Sequence, residues 1–297
     1  MNDVDHGRRA NLIGSLWMVA AMAGFAIEDV FLKVAAQTLS ISQILMMFGA
    51  GGAAVFALWA RATGDALVSR AVMSRPMRIR VVFEILGRLF YVLAIALTPL
   101  SAATVILQAT PIVVVAGAAL FLGERVGWRR WAAILVGLLG VIVIIQPGAD
   151  SFSILSLLAV LGMFGFAGRD LASRAAPASL GTPVLGVYGF LAVIVAGALF
   201  SLWEARPLVL PDAGTWGIMA GAVIAGVAAY SALMKAMRTG DVSAVTPFRY
   251  TRLLFGIGCG VVLFGETLSV AMLIGCGLIV VSGLFILWRS NSGHRAA

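Results

Sequence analysis

Residues 24–33 read GFAIEDVFLK, and residues 165–174 read GFAGRDLASR. The two stretches share Gly, Phe, Ala and Asp at the same places, and both end in a basic residue. The first closes a run, Leu12 to Ile27, that carries no charge. A second pair of stretches repeats at nearly the same offset: LFLGER at 120–125 matches VLFGET at 262–267. The chain reads as a unit built twice.

Composition places that unit in a bilayer. Hydrophobic residues make up 61% of the 297 and charged residues 11%, against roughly half and about a quarter in soluble domains. Apolar windows of about 20 residues, enough to cross a roughly 30 Å hydrocarbon core, recur along the chain. They leave no room for a separate soluble domain. The net charge of +8 comes from basic residues scattered singly and in short loops, which is a topology signal rather than a nucleic-acid footprint. The segment MNDVDHGRRANL leads into an apolar stretch longer than a signal-peptide core and is expected to be retained as part of the first helix. Cys259 and Cys276 lie within apolar spans and read as buried free thiols.

Breaks at polar and Pro/Gly-rich points predict an all-α membrane protein of ten transmembrane helices, at about 11–34, 42–61, 79–97, 101–122, 128–146, 153–174, 183–203, 213–237, 242–264 and 270–289. With the N-terminus inside, the cytoplasmic side collects most of the basic residues, among them Arg8, Arg9, Arg61, Arg70, Arg75 and Arg78. The outer side holds Arg206 and, at a helix end, Lys33. Both termini are therefore expected in the cytoplasm. Each half has five spans, so the second enters the membrane from the opposite side. The expected organisation is one five-helix repeat over 1–148 and a second, inverted one over 149–297.

These residues carry a resemblance. The five-plus-five pattern, Gly123-Glu124 and Gly265-Glu266 after the fourth and ninth spans, and the helix starts at Ser101-Ala102-Ala103 and Ser243-Ala244 resemble the drug/metabolite transporter superfamily, EamA type. Within it the sequence is similar to the YddG-type exporters of aromatic and other neutral amino acids. The resemblance implies a central cavity lined by spans 1, 3, 4, 6, 8 and 9, a place in the bacterial inner membrane, and export by alternating access. The second half departs from the first in placing Ser282 opposite Gly140.

Intramembrane charges supply the candidate site. Asp29 lies about 25 Å along the first span, and Asp170 at a similar distance along the sixth, which runs the other way. Asp29 with Lys33, and Asp170 with Arg174, are acid–base pairs at i,i+4 on one helix face. They read either as ion pairs snorkelling at helix ends or as paired gate elements. Arg88 lies about 12 Å beyond Arg80, and Arg249 and Arg252 lie about 12 and 16 Å beyond Asp241, near the midplane. Arg88 has Glu84 one turn earlier as a possible partner. A planar guanidinium facing a wet cavity would suit a carboxylate substrate. Glu28, Glu84, Asp29 and Asp170 are the acids able to carry a proton.

Pro111 and Pro247 interrupt backbone hydrogen bonding at membrane depth, as simple kinks or as broken helices at a binding site. Gln108, matching Tyr250 in the other half, offers hydrogen bonds to a substrate amino group or to a neighbouring helix. Trp17, Tyr91, Tyr230 and Tyr250, with Phe25 and Phe166, read as lipid-belt, packing or aromatic-binding residues. Gly217-x-x-x-Gly221 and Gly256-x-x-x-Gly260 read as helix-packing motifs first.

Other classes fit less well. His6 and His294, the two histidines, lie in the tails, which leaves no HExxH metal site and no base for a buried serine. An enzyme is not expected. There is no P-loop and no ATP site, and no cofactor or metal is expected. A channel would show a filter or a ring of like charges. The expectation is a secondary exporter of small metabolites, neutral or aromatic amino acids first, with another metabolite or drug as the alternative cargo.

Overall fold

The structure, a computed structural model, describes residues 2–121, 127–145, 153–174, 177, 179–239 and 245–294. Gly123-Glu124 and Ser243-Ala244 lie outside these residues, and the side chains of Arg174 and Pro247 are likewise outside the described set. Among the described residues every regular element is helical. In chain order these are α1 (Asn2–Ala35), α2 (Ile41–Thr63), α3 (Arg75–Leu97), α4 (Leu100–Leu107), α5 (Thr110–Phe121), α6 (Trp128–Ile145), α7 (Ser156–Arg174), α8 (Thr182–Glu204) and α9 (Ala213–Thr239). A 3-10 turn, Thr246–Tyr250, then leads into α10 (Thr251–Phe264), and α11 (Val270–His294) follows.

Five of the described helical stretches are long and apolar enough to cross a membrane: Arg9–Ala35, Ile41–Thr63, Leu100–Phe121, Thr182–Glu204 and Ala213–Ala236. Trp131–Ile145 and Val270–Phe285 are shorter apolar helices. Helices α3 and α7 are missing from that set because of the charged residues they carry; on α3, Arg80 and Glu84 turn inward while Arg75 and Arg78 are exposed. On α3 the buried residues are Met77, Arg80, Glu84, Gly87, Tyr91, Val92, Ala94 and Ile95, which recur at three- and four-residue steps and form one helix face.

Helix ends are closed by identifiable groups. Ser40 caps α2 by accepting from the Gln43 N–H at 3.3 Å, while the Glu204 carboxylate accepts from the Ile41 and Ser42 N–H groups at 3.1 and 3.0 Å. Gly64 ends the same helix in the left-handed region, φ 76°, which a residue with no Cβ adopts without strain. Asp212, just ahead of α9, accepts from the Thr215 N–H at 2.8 Å. Hydrogen bonding from Thr215 holds its carboxyl below the ordinary range.

The chain forms two compact units, each drawn from both sequence halves. One comprises Ile27–Leu100 and Leu155–Val227. In it α2 packs on α8 and α3 on α7, with glycines at the crossings. A Cβ on Gly165 would land on the backbone of Gly87, and one on Gly162 would come within 3.0 Å of the Tyr91 nitrogen. Phe48 and Phe56 both meet Phe190, with ring centroids 5.2 and 5.6 Å apart.

The other unit comprises Met1–Ala26, Ser101–Ile154 and Ala228–Ala297. There α6 packs on α11, and a Cβ on Gly140 would come within 2.8 Å of the Gly275 carbonyl. Met18, Ala21, Met22, Ala232, Leu233, Ala236 and Val245 form a buried apolar cluster. Pairing α2 with α8 and α6 with α11 sets each helix against the helix at the matching place in the other sequence half.

The glycine motifs divide. Gly221, Gly256 and Gly260 are crowded by Phe31, Thr104, and Glu266 with Ser101 respectively, whereas Gly217 has nothing within 4 Å of a built Cβ. The packing reading of Gly217 is therefore corrected, because that position faces open space.

Candidate functional site: a buried ion network

In the unit containing α3, the polar residues of the buried face collect partners from α1 and α7. Arg88 Nη1 donates to Glu28 Oε1 at 2.5 Å, with side-chain exposures of 13% and 1%. The expected Arg88–Glu84 pair within α3 does not form. Glu84 instead meets Arg80 at 3.7 Å and Arg169 at 3.3 Å. The correction has a geometric cause: α7 brings Arg169 to Glu84 and α1 brings Glu28 to Arg88, so each α3 charge is met from another helix.

The Arg88 guanidinium also lies between two rings, 5.2 Å from the Phe48 centroid and 5.9 Å from that of Phe166. Arg169 stands 4.8 Å from the Phe166 centroid, and Tyr91 meets the same ring edge-on at 5.8 Å. Arg88 Nε is buried and has no hydrogen-bond partner among the described residues. Leaving a buried donor unmade costs on the order of 1–3 kcal/mol, so the guanidinium is only partly satisfied.

The residues of the two acid–base motifs take varied positions. Asp29 is 1% exposed and accepts from the Tyr91 hydroxyl at 2.9 Å. Lys33 donates to the carbonyls of Ile95 and Thr98 at 2.9 and 2.7 Å, closing the C-terminal end of α3 as a cation does at a helix terminus. Asp170 accepts from Arg169 Nε at 3.0 Å and Nη2 at 2.8 Å. Along α3, the stripe Arg80, Glu84, Arg88, Tyr91, Ile95 and Thr98 spans about 27 Å at 1.5 Å per residue. Each of its members has a polar contact to α1, α7 or α8. A buried polar line of that length covers most of a bilayer core.

The second unit holds the remaining expected site residues. Helix 4 is broken, with α4 ending at Leu107 and α5 beginning at Thr110, one residue before Pro111. Gln108 at the break donates its Nε2 to the Arg249 carbonyl at 2.9 Å. Pro247 lies in the 3-10 turn ahead of α10. The guanidinium of Arg252 is 5.2 Å from the Phe25 centroid, and the Lys235 ammonium is 4.3 Å from the Trp17 ring. Tyr250 is buried, and its hydroxyl fills the space a side chain on Gly283 would need. Tyr230 is half-buried. Glu266 accepts from the Ser101 N–H at 3.0 Å and from its hydroxyl. The structure thus gathers Arg88 and Tyr91 in one unit and Trp17, Gln108, Tyr230, Arg249, Tyr250 and Arg252 in the other.

Arg169 and Phe48 were not singled out from sequence. A signal was present for Arg169: it matches Glu28 in the repeated motif with the opposite charge. Among the described residues, no group of three or more His, Cys, Asp or Glu could hold a metal ion.

An all-helical chain with several membrane-length apolar helices and charges paired inward is a multi-pass membrane protein. The chain belongs to the EamA-like transporter family, whose profile matches residues 12–146 and again residues 153–288. It is similar to a riboflavin transporter of Vibrio cholerae, 27% identical over 291 residues and covering 96% of each chain. The pseudopaline exporter CntI of Pseudomonas aeruginosa is 29% identical, covering 94% of this chain and 97% of that one. An S-adenosylmethionine uptake transporter of Rickettsia conorii is 25% identical over 69% of each chain. A solved crystal structure matches with a TM-score of 0.61 at 22% identity, covering 94% of this chain and 98% of the other. The protein is a small-metabolite transporter of this family, not an enzyme.

Proposed function

We propose that the protein exports small carboxylate-bearing metabolites, neutral and aromatic amino acids first among them, across the bacterial inner membrane by alternating access. The observation that carries this reading is Arg88: a half-buried guanidinium whose buried Nε–H has no hydrogen-bond partner among the described residues, flanked by Phe48 and Phe166. A guanidinium binds a carboxylate through two parallel N–H groups, and neighbouring rings favour an aromatic side chain. The named relatives carry riboflavin, pseudopaline and S-adenosylmethionine, and include both an exporter and an uptake transporter. They support the class, and Arg88 narrows the chemistry within it.

The architecture that goes with this reading is ten spans in two inverted five-helix repeats, 1–148 and 149–297, with both termini cytoplasmic. Pairing of α2 with α8 and α6 with α11 supports it, since helices at a two-fold axis meet their own counterparts. The cargo-binding set is Trp17, Arg88, Tyr91, Gln108, Tyr230, Arg249, Tyr250 and Arg252. Asp29, Lys33 and Asp170 with Arg174 serve as gate elements, and Pro111 and Pro247 as helix breaks.

Proteoliposome uptake of a panel of amino acids, riboflavin and S-adenosylmethionine, with and without a pH gradient, tests the proposal. Saturable transport of amino acids that Arg88→Gln weakens is expected. Saturable transport confined to riboflavin, or unchanged amino-acid kinetics in Arg88→Gln, would overturn it.

A further inference from the structure

We propose that the outward face of α3 binds an anionic phospholipid, with Arg75 and Arg78 on its phosphate and the apolar strip beyond them along its acyl chains. The proposal takes α3 as one of the ten spans and is independent of the cargo.

The site is built from the first turns of the helix. Arg75, Arg78, Ile79, Val82 and Phe83 line an open groove of about 460 Å³. Both arginines are exposed, and residues three apart on a helix are surface neighbours, with Cβ atoms about 5–6 Å apart. Neither side chain has a hydrogen bond, ion pair or ring contact among the described residues. Arg80 behaves differently. It is buried, and it meets Ser173 at 3.0 Å and Glu84 at 3.7 Å. Helix geometry makes the division: positions 75, 78, 79, 82 and 86 share one face, and the buried positions, Arg80 and Glu84 among them, lie on the opposite one.

Charge placement at this end of α3 calls for an anion. The first turn contains no acid, and Ser74 at the cap position makes no side-chain hydrogen bond. Two guanidinium groups therefore stand at the positive end of the helix dipole with no carboxylate to offset them. At the corresponding ends of α2 and α9, Glu204 and Asp212 supply that negative charge. A phosphate seated between Arg75 and Arg78 would do the same for α3, since planar guanidinium groups match its oxygens.

The apolar strip says which phosphate. Ile79, Val82 and Leu86 are all exposed, and the line from Arg75 to Leu86 runs about 16 Å along the helix. The Phe83 ring fills the space that a side chain on Gly168 of α7 would need, so α7 holds the ring in place as a wall of the groove. A free phosphate ion would leave this strip uncovered. A phospholipid complements both parts, its headgroup the arginines and its chain the strip, as basic sites at span ends do with anionic lipids.

The test is lipid binding by the full chain, stripped of lipid in neutral detergent and read by native mass spectrometry. Dioleoylphosphatidylglycerol and dioleoylphosphatidylcholine are the probes. The wild type is expected to bind the phosphatidylglycerol roughly thirtyfold tighter, the combined effect of two arginines near an anionic headgroup. Arg75→Gln/Arg78→Gln should bring the two affinities together. Arg61→Gln/Arg70→Gln removes the same charge from exposed positions outside the groove and should leave the preference intact. Val82→Trp fills the groove while keeping both arginines; it should weaken phosphatidylglycerol binding, and it decides the question should the first variant fail to fold. Equal binding of both lipids by the wild type, or a preference lost equally in Arg61→Gln/Arg70→Gln, would overturn the proposal. Displacement of the lipid by inorganic phosphate would overturn it too, in favour of a small-anion site. Amino-acid transport through Arg88 is measured separately, so failure of the lipid site and failure of the cargo reading are told apart.

Discussion

Glu28 and Arg169 stand at the same place in the two copies of the repeated motif, carry opposite charges, and reach neighbouring turns of one helix. Glu28 meets Arg88 at 2.5 Å and Arg169 meets Glu84 at 3.3 Å. Helix α3 thus presents an acid and a base four residues apart, and each is neutralised from a different copy of the motif. The arrangement leaves buried charges paired while making α3 depend on both α1 and α7.

Breaking one of these pairs should cost more than removing it. Arg88→Gln leaves Glu28 buried beside a neutral group, and loss of one partner of a buried pair typically costs about 3–5 kcal/mol. The double variant Glu28→Gln/Arg88→Gln should recover a large part of that loss. Melting temperatures of the two single variants and the double variant in one detergent form the cycle, and additive losses would show that the two side chains are not coupled.

Charge reversal probes the gate reading. Asp29→Lys places a cation against the Tyr91 hydroxyl and close to Lys33, and Asp170→Lys sets two cations side by side with Arg169. Both should reduce transport in inverted membrane vesicles by tenfold or more, on the order of 1.4 kcal/mol or more in the rate-limiting step. Wild-type rates in both variants would remove these residues from the transport cycle.

Glycine positions offer a contrast in packing. Gly165→Ala pushes a methyl group into the Gly87 backbone, where neither helix can yield locally, and overpacking of that kind costs about 1–3 kcal/mol. Gly217→Ala has nothing within 4 Å and exchanges a poor helix former for the best one, a gain of up to about 1 kcal/mol. Opposite shifts in melting temperature are expected, read by static light scattering on heating.

Glu266 provides a cap from a distance. Its carboxylate accepts from the N–H and hydroxyl of Ser101 at the start of α4. Glu266→Gln keeps an acceptor but loses the charge that favours a helix N-terminus, so a loss of about 0.5–1 kcal/mol is expected. Glu266→Ala should lose about 1–2 kcal/mol, a ranking measurable by chemical denaturation in mixed micelles.

Much of the architecture was legible from sequence because hydrophobic runs and a repeated motif are local signals. The break in helix 4 was announced by Pro111, and the structure places it at Gln108 and Ala109. Partner choice was less legible. Arg88 has Glu84 one turn away, and nothing within α3 says that Glu84 is engaged by Arg169 and Arg80 instead. That choice depends on how α1, α3 and α7 meet, which local spacing does not encode. Gly217 shows the same limit from the other side: a GxxxG pattern states that close approach is permitted, and only the neighbouring helices decide whether it happens.

The broken fourth helix has a mechanical consequence. Helix α4 is eight residues long, and both of its ends are pinned to one stretch of chain: Ser101 to Glu266 just beyond α10, and Gln108 to Arg249 just before it. A strut fastened at both ends to the same beam cannot tilt alone. Helices α4 and α10 must therefore travel as one body, and the joint between α4 and α5 becomes the place where that body can flex against the rest of helix 4.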